Sequence, residues 1–83
     1  MSELPSPLPT DDEEYLEALN RGNAFFLRGE FDEALDAFTE AITHSPDRSL
    51  AYYSRCAAYY ALGEPAKGDA DLKAAEQIEK RGA

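Results

Sequence analysis

The sequence predicts an all-α protein of four short helices without strands. Apolar residues recur at steps of three and four along most of the chain, which is the spacing of one helix face. The steps are interrupted at Gly29, Pro46 and Gly63, and glycine and proline are the residues that most often end helices. The pattern also recurs after 34 residues, so the second pair of helices is expected to copy the first.

The first predicted helix begins near Asp11, because Thr10 and Glu13 have the spacing of a capping box. Its apolar residues lie on two faces, so we expect it to pack against two partners. The second helix, near residues 31–44, has one apolar face and ends where Pro46 disfavours helix in the residue before it. That face consists of Phe31, Ala34, Leu35, Phe38, Ala41 and Ile42.

The third predicted helix, residues 49–62, again has two apolar faces and stops at Gly63. Pro65 suits the first turn of a fourth helix. Gly68 inside that helix costs about 0.5 to 1 kcal/mol relative to alanine, so the fourth helix is expected to be the least stable element. Its buried side is predicted to hold Leu72, Ala75 and Ile78.

The chain of 83 residues is long enough for one small domain, assigned to residues 10–83. Residues 1–9 are predicted to form an extended or disordered tail. Every second residue of the stretch LPSPLP is proline, which removes backbone donors and favours polyproline II geometry over helix.

The formal net charge of −9 excludes nucleic acid as a partner, because such a surface repels phosphates. The start of the chain has no basic region followed by an apolar stretch, so neither a signal peptide nor a membrane span is predicted, and a cytoplasmic location is expected. A single cysteine, Cys56, and a single histidine, His44, provide no disulfide and no zinc-site spacing. No cofactor and no metal are predicted.

Residue 15 placed over residue 49 aligns two blocks of 34 residues, 15–48 and 49–82. The identical pairs are Leu16/Leu50, Arg21/Arg55, Ala24/Ala58, Gly29/Gly63, Glu30/Glu64 and Ala41/Ala75. Two helices joined by a glycine turn at this period resemble the tetratricopeptide repeat family. The resemblance implies two helix-turn-helix repeats in a short right-handed α-solenoid, with signature positions at Gly22, Phe25, Ala34, Phe38, Ala41 and Pro46.

The signature residues have packing roles: small Gly22 lets two helices approach closely, and Phe38 fills the wedge between them. The second block departs from the family, with Cys56 in place of the first glycine and Gly68 in place of the alanine. Both blocks carry an arginine where leucine is usual. We expect Arg21 and Arg55 to lay their stems on the core and to extend their charged heads into water.

The resemblance also implies a function. The first helix of each repeat in this family lines a concave groove that holds a peptide, and the family performs no chemistry, so no enzyme is predicted. The groove positions carried over from the family are Leu16, Leu19, Asn20, Asn23, Phe26, Leu27, Leu50, Tyr53, Ser54, Ala57, Tyr60 and Ala61. This surface is mostly apolar and aromatic, which is typical of a partner site.

Chaperone-binding members of the family hold a terminal carboxylate with a clamp of lysines and asparagines. Only Asn23 matches that clamp here, because Leu19 takes the lysine position and Ser54 that of the second asparagine. The further repeat that would supply two basic residues is missing. A bidentate grip on a carboxylate is therefore not predicted.

For the other candidate residues, a structural role is predicted rather than a functional one. Cys56 is expected in the core, and His44 at a helix end rather than as a base. Among the tyrosines, Tyr59 is predicted to be core, whereas Tyr53 and Tyr60 are predicted to be contact residues. The acidic residues Asp32, Glu33, Asp36 and Glu40 are interpreted as a solvated outer face.

The predicted function is a protein-protein interaction module, in the role of adaptor, assembly factor or chaperone-like holder, which binds a peptide or helix of another protein. The alternative is a self-associating structural protein. Two repeats are fewer than the three normally needed to bury a continuous core, so the groove and the open end of the fourth helix would then join identical chains in a homodimer.

Overall fold

The computed structural model describes residues 10–82, which form four helices in the order expected. They are α1 (Asp11–Leu27), α2 (Phe31–His44), α3 (Ser49–Ala61) and α4 (Pro65–Gly82), and no strand occurs within the described residues. The all-α prediction is therefore confirmed. The predicted tail, residues 1–9, and residue 83 at the end of the predicted domain lie outside the described residues.

Local signals in the sequence set the helix ends. The Thr10 hydroxyl accepts a hydrogen bond from the Glu13 amide at 3.2 Å, which caps α1. Gly29 and Gly63 have φ angles of +78° and +76°, in the left-handed region that glycine adopts most easily. In both turns the amide three residues beyond the last helical residue donates to a carbonyl of the last turn of the helix, at 2.9 Å, which is a Schellman arrangement. The two repeats thus share one turn geometry.

The helices pack in sequence order: α1 against α2, α2 against α3, and α3 against α4. Phe38 lies at the centre of the first pair with 1% of its surface exposed, and its ring packs directly on Gly22. Small residues around it let the helices approach closely. The buried core cluster consists of Tyr15, Ala18, Leu19, Ala34, Phe38, Ala41, Ala51 and Ala58.

Tyr15 joins the two repeats. Its ring is buried, and its hydroxyl accepts a hydrogen bond from the Ala51 amide at 3.2 Å. Ala51 lies in the first turn of α3, where backbone amides have no partner within the helix. A side chain from the first repeat therefore caps a helix of the second, a contact that the sequence analysis did not anticipate.

The expectation for Arg55 was wrong. Its guanidinium makes a bidentate ion pair with Asp71 of α4, at 2.8 and 2.7 Å, and the two side chains are only 19% and 6% exposed. Bidentate pairing matches the planar guanidinium to the carboxylate, and it compensates Asp71 for its loss of water. Arg21, in contrast, pairs with Glu40 at a half-exposed position.

Gly68 is a close-approach position rather than a simple weak point. A Cβ added there would lie 3.0 Å from the Tyr60 ring and 3.2 Å from the Cys56 carbonyl oxygen. The glycine therefore lets α4 pack closely on α3, which offsets part of its intrinsic cost in a helix. The lower stability of α4 stays a prediction.

Replacing Gly22 by alanine is expected to destabilise the fold by about 1 to 3 kcal/mol, although alanine is the better helix former. The new Cβ would lie 2.4 Å from Phe38 Cε1, so the buried ring would have to shift to make room for it. Urea denaturation followed by circular dichroism measures the change. Gly82→Ala is the control, since a Cβ at Gly82 meets nothing within 4 Å. An equal or higher stability for Gly22→Ala would contradict the close packing of α1 on α2.

Candidate functional site

The predicted groove residues come from α1 and α3, which we call the α1–α3 face. Four of them, Asn23, Phe26, Ser54 and Ala57, line one open pocket of about 140 Å³ together with the core residue Phe38. The pocket combines three apolar side chains with an amide and a hydroxyl. Such groups can bond the amides and carbonyls of a peptide backbone while apolar contacts hold its side chains.

A second, larger pocket of about 450 Å³ lies where α1 and α3 begin. Leu16 and Leu50, both predicted groove residues, are 50% and 57% exposed there. Ile78 from α4 also lines it, although its position in the helical pattern predicts only a buried side chain. The rim is polar: Asp47, Arg48, Ser49 and Glu79. Exposed apolar area with a polar rim is typical of a contact surface.

Leu19 corrects the predicted groove. It is 4% exposed and belongs to the core cluster, so its side chain is not available to a ligand. Asn20, Leu27 and Ala61 are exposed, but neither of the two pockets on the α1–α3 face is lined by them. Phe26 is half-buried, and its ring packs edge-to-face on Phe31 at 5.1 Å between centroids, so it supports the fold as well as lining the pocket.

The two predicted contact tyrosines each meet a carboxylate of α4. The Tyr60 hydroxyl donates a hydrogen bond to Asp69, and this bond raises the pKa of Tyr60 to about 12. The neighbouring carboxylate of Glu79 likewise raises the pKa of Tyr53, and the nearby charge of Glu76 contributes. Phenol ionisation is disfavoured because it would place a second negative charge beside each carboxylate. Tyrosine and carboxylate lie 9 residues apart in one pair, and no local motif reports such pairing.

Tyr60 is therefore expected to ionise late in a pH titration. Because its pKa is raised from 10, its bond to Asp69 stabilises the folded protein fully below pH 10, and this contribution is lost as the pH rises through about 12. Ultraviolet absorbance of tyrosinate measures the titration. Asp69→Asn should lower the pKa of Tyr60, and Tyr60→Phe should remove that step from the curve. A curve that Asp69→Asn leaves unchanged would contradict the pairing.

The other residues singled out in the sequence have structural surroundings. Cys56 is buried, and burial raises the pKa of its thiol, so it lacks the thiolate character of a reactive cysteine. Tyr59 is only half-buried, and the charged ends of Arg55 and Lys67 lie over its ring. Tyr59 is therefore only partly buried, whereas the sequence predicted a core position for it.

His44 ends α2 and contacts the start of α1. Its Nδ1 lies 3.0 Å from Glu14 Oε2 and 3.4 Å from Asp11 Oδ1. One ligand atom from each of these three residues lies within 4.8 Å of the others. Among the described residues, these three side chains form the cluster that could bind a metal ion. The contacts already link the ends of two helices, which is the helix-end role expected for His44.

Comparisons with known proteins identify the repeat family. The family described as "TPR repeat" matches residues 22–63. Hsp70-Hsp90 organizing protein 3 of Arabidopsis thaliana is 39% identical over 57 residues, which is 69% of this chain and 10% of that protein. The DnaJ homolog subfamily C member 7 homolog of Schizosaccharomyces pombe is 42% identical over 59 residues, covering 69% of this chain and 12% of its own length.

The heat-shock protein cognate co-chaperone sgt12 of Aspergillus fumigatus is 30% identical over 73 residues, which is 88% of this chain and 21% of that protein. The chain thus spans about a tenth to a fifth of the length of these relatives. No solved structure matches the chain at a significant level. None of the helices in the described part of the chain is long and apolar enough to cross a membrane.

Proposed function

Because the chain belongs to the tetratricopeptide repeat family, we propose that it is a protein-protein interaction module whose α1–α3 face binds a peptide segment of another protein. Residues 15–48 and 49–82 are the two repeats of this module. It acts as an adaptor, an assembly factor or a chaperone-like holder in the cytoplasm, without catalysis and without a cofactor.

The observation that carries the proposal is the pocket that brings Asn23 and Phe26 of α1 next to Ser54 and Ala57 of α3. A peptide lying across both helices would find polar partners for its backbone and an apolar surface for its side chains. The larger apolar pocket at Leu16 and Leu50 extends the same face. The names of the relatives, an organizing protein and a co-chaperone, support a holding role in complexes.

The family's carboxylate clamp is not part of this proposal. Leu19, which takes the position of the clamp lysine, is buried in the core. Ser54 replaces an asparagine, and Arg48, a basic residue at the larger pocket, already pairs with Asp12 at 3.3 Å. The described residues therefore give a terminal carboxylate no bidentate partner on this face.

The homodimer alternative is disfavoured by a comparison of α2 with α4. Leu35 and Ile42 of α2 pack against the core, and their counterparts in α4, 34 residues later, are Asp69 and Glu76. Both counterparts are exposed. The outer side of α4 thus lacks the apolar surface that α2 offers to its neighbour, and stacking a second copy there would bury carboxylates.

The proposal is tested by selecting a displayed peptide library on the wild-type protein and measuring the selected peptides by calorimetry. Asn23→Ala and Tyr53→Ala are each expected to weaken binding, and Tyr53→Ala should cost about 2 kcal/mol or more, as at a hot spot. Thr43→Ala, exposed on α2, is the matched control and should bind like the wild type. A sizing run on each variant reports self-association. Unchanged binding by folded Asn23→Ala and Tyr53→Ala variants would show that the peptide binds to another surface of the protein.

A further inference from the structure

Two tyrosine-carboxylate pairs line the α4 side of the α1–α3 face. Tyr60 donates its hydroxyl hydrogen to Asp69. The side chain of Tyr53 lies near enough to Glu79 for that carboxylate to raise the pKa of the tyrosine. The Tyr60 residue is 45% exposed, and Glu79 also lines the apolar pocket that opens at the start of α3. Each pair therefore presents an aromatic ring next to a negative charge at the edge of the proposed binding face.

An aromatic ring beside a carboxylate is a recognition site for a lysine or arginine side chain. The ring face attracts the cation, and the carboxylate accepts its hydrogen bonds. This chain already uses that chemistry internally: Arg55 is bonded to Asp71 and lies near two tyrosine rings, and Arg48 pairs with Asp12 while covering a third. The covered rings are Tyr15 under Arg48 at 4.7 Å, Tyr52 under Arg55 at 5.9 Å, and Tyr59 under Arg55 at 5.8 Å and Lys67 at 5.9 Å.

Tyr53 and Tyr60 differ from these three tyrosines. All five tyrosines of the chain fall within residues 10–82, and in that part of the chain no cation lies over the ring of Tyr53 or Tyr60. Their carboxylate neighbours Asp69 and Glu79 have no ion-pair partner among the described residues either. Both tyrosine-carboxylate pairs are therefore available to a cation of a ligand.

We propose, on the basis of the interaction function proposed above, that this face takes a peptide segment carrying two lysine or arginine side chains, one for each tyrosine-carboxylate pair. The two tyrosines are seven residues apart on α3, which places them about 10 Å apart along the helix axis. In a polyproline II peptide, with about 3.1 Å per residue and three residues per turn, side chains three residues apart share one face at a similar spacing. The ligand is thus a cationic-x-x-cationic segment with apolar residues between and around the charges.

This polarity is the reverse of a carboxylate clamp. A chain of net charge −9 attracts a basic segment at long range, and the two carboxylates select it at short range. An acidic peptide on the same face would meet the like charges of Asp69, Glu76 and Glu79.

Three synthetic peptides test the proposal. Each has eight residues, capped ends and the same leucine, alanine and proline framework, with lysine, glutamine or glutamate at the third and sixth positions. Calorimetry is expected to show the lysine peptide binding the wild type at least about tenfold more tightly than the glutamine peptide, with an affinity that falls as salt rises. The glutamate peptide should be the weakest of the three.

Asp69→Asn with Glu79→Gln is the decisive variant. It should abolish the preference for lysine over glutamine. Glu33→Gln with Asp36→Asn removes the same charge from exposed positions of α2 and should keep the preference, so it separates local recognition from net charge. Tyr53→Leu supplies a second test, since it removes an aromatic ring and keeps Glu79. Circular dichroism verifies that each variant is folded.

The outcomes separate this inference from the function on which it rests. A glutamine peptide that binds as tightly as the lysine peptide, and loses affinity in Asn23→Ala, would overturn the basic-segment inference and leave the interaction function standing. Persistence of the lysine preference in Asp69→Asn with Glu79→Gln would also overturn it. Absence of binding by all three peptides would count against both.

Discussion

Replacing Phe38 by alanine is expected to lower the free energy of unfolding by about 3 to 5 kcal/mol. The ring is buried between α1 and α2, and it packs on Gly22, which has no side chain that could fill the space. Ala34 and Ala41 of the same core cluster are also small, so neighbouring side chains can fill little of the cavity. In a domain of 83 residues the loss is a large part of the total stability.

Urea denaturation monitored by circular dichroism measures the effect of Phe38→Ala. Leu27→Ala is the control, because Leu27 is exposed at the end of α1, and its truncation should change stability by no more than about 0.5 kcal/mol. If Phe38→Ala is too unstable to measure, Phe38→Leu should show a smaller loss in the same direction. A melting temperature within about two degrees of the parent would refute the wedge role of Phe38.

The second large effect is expected at the buried ion pair. Replacing Arg55 by leucine should cost about 3 to 5 kcal/mol, because Asp71 would remain buried without its bidentate partner. Replacing Asp71 by alanine as well should recover most of that loss. The first repeat suggests that the pair can be dispensed with, since Ala37 occupies the position that corresponds to Asp71.

A double-mutant cycle of Arg55→Leu and Asp71→Ala, with stability read from urea denaturation, measures the coupling between the two side chains. The matched control is Arg21→Leu with Glu40→Ala, an ion pair between half-exposed side chains of the first repeat, for which no more than about 1 kcal/mol is expected. Additive losses in the Arg55 and Asp71 cycle would mean that the pair is not coupled in solution.

The helices and the repeat follow from local patterns. Thr10 and Glu13 cap α1, Gly29 and Gly63 close the two turns, and apolar spacing of three and four marks each buried face. These signals act within a few residues, so they can be read without knowledge of the rest of the chain. The 34-residue repeat then predicted which residues of α1 and α3 share a face. The structure brings Asn23, Phe26, Ser54 and Ala57 together on that face, and their part in binding stays a prediction.

Contacts between helices set the rotation of each helix and its distance from its neighbours. The features that local patterns do not predict depend on these contacts. Leu19 shares a helical periodicity with exposed groove positions, yet it lies in the core of the packed structure. The Arg55–Asp71 ion pair and the Tyr15–Ala51 hydrogen bond join residues 16 and 36 positions apart. Periodicity indicates which side of a helix is buried, but only packed helices place two particular side chains within hydrogen-bond distance, because that distance depends on the approach of both backbones. The tyrosine-carboxylate pairs of α3 and α4, which carry the proposal of a basic ligand, arise for the same reason.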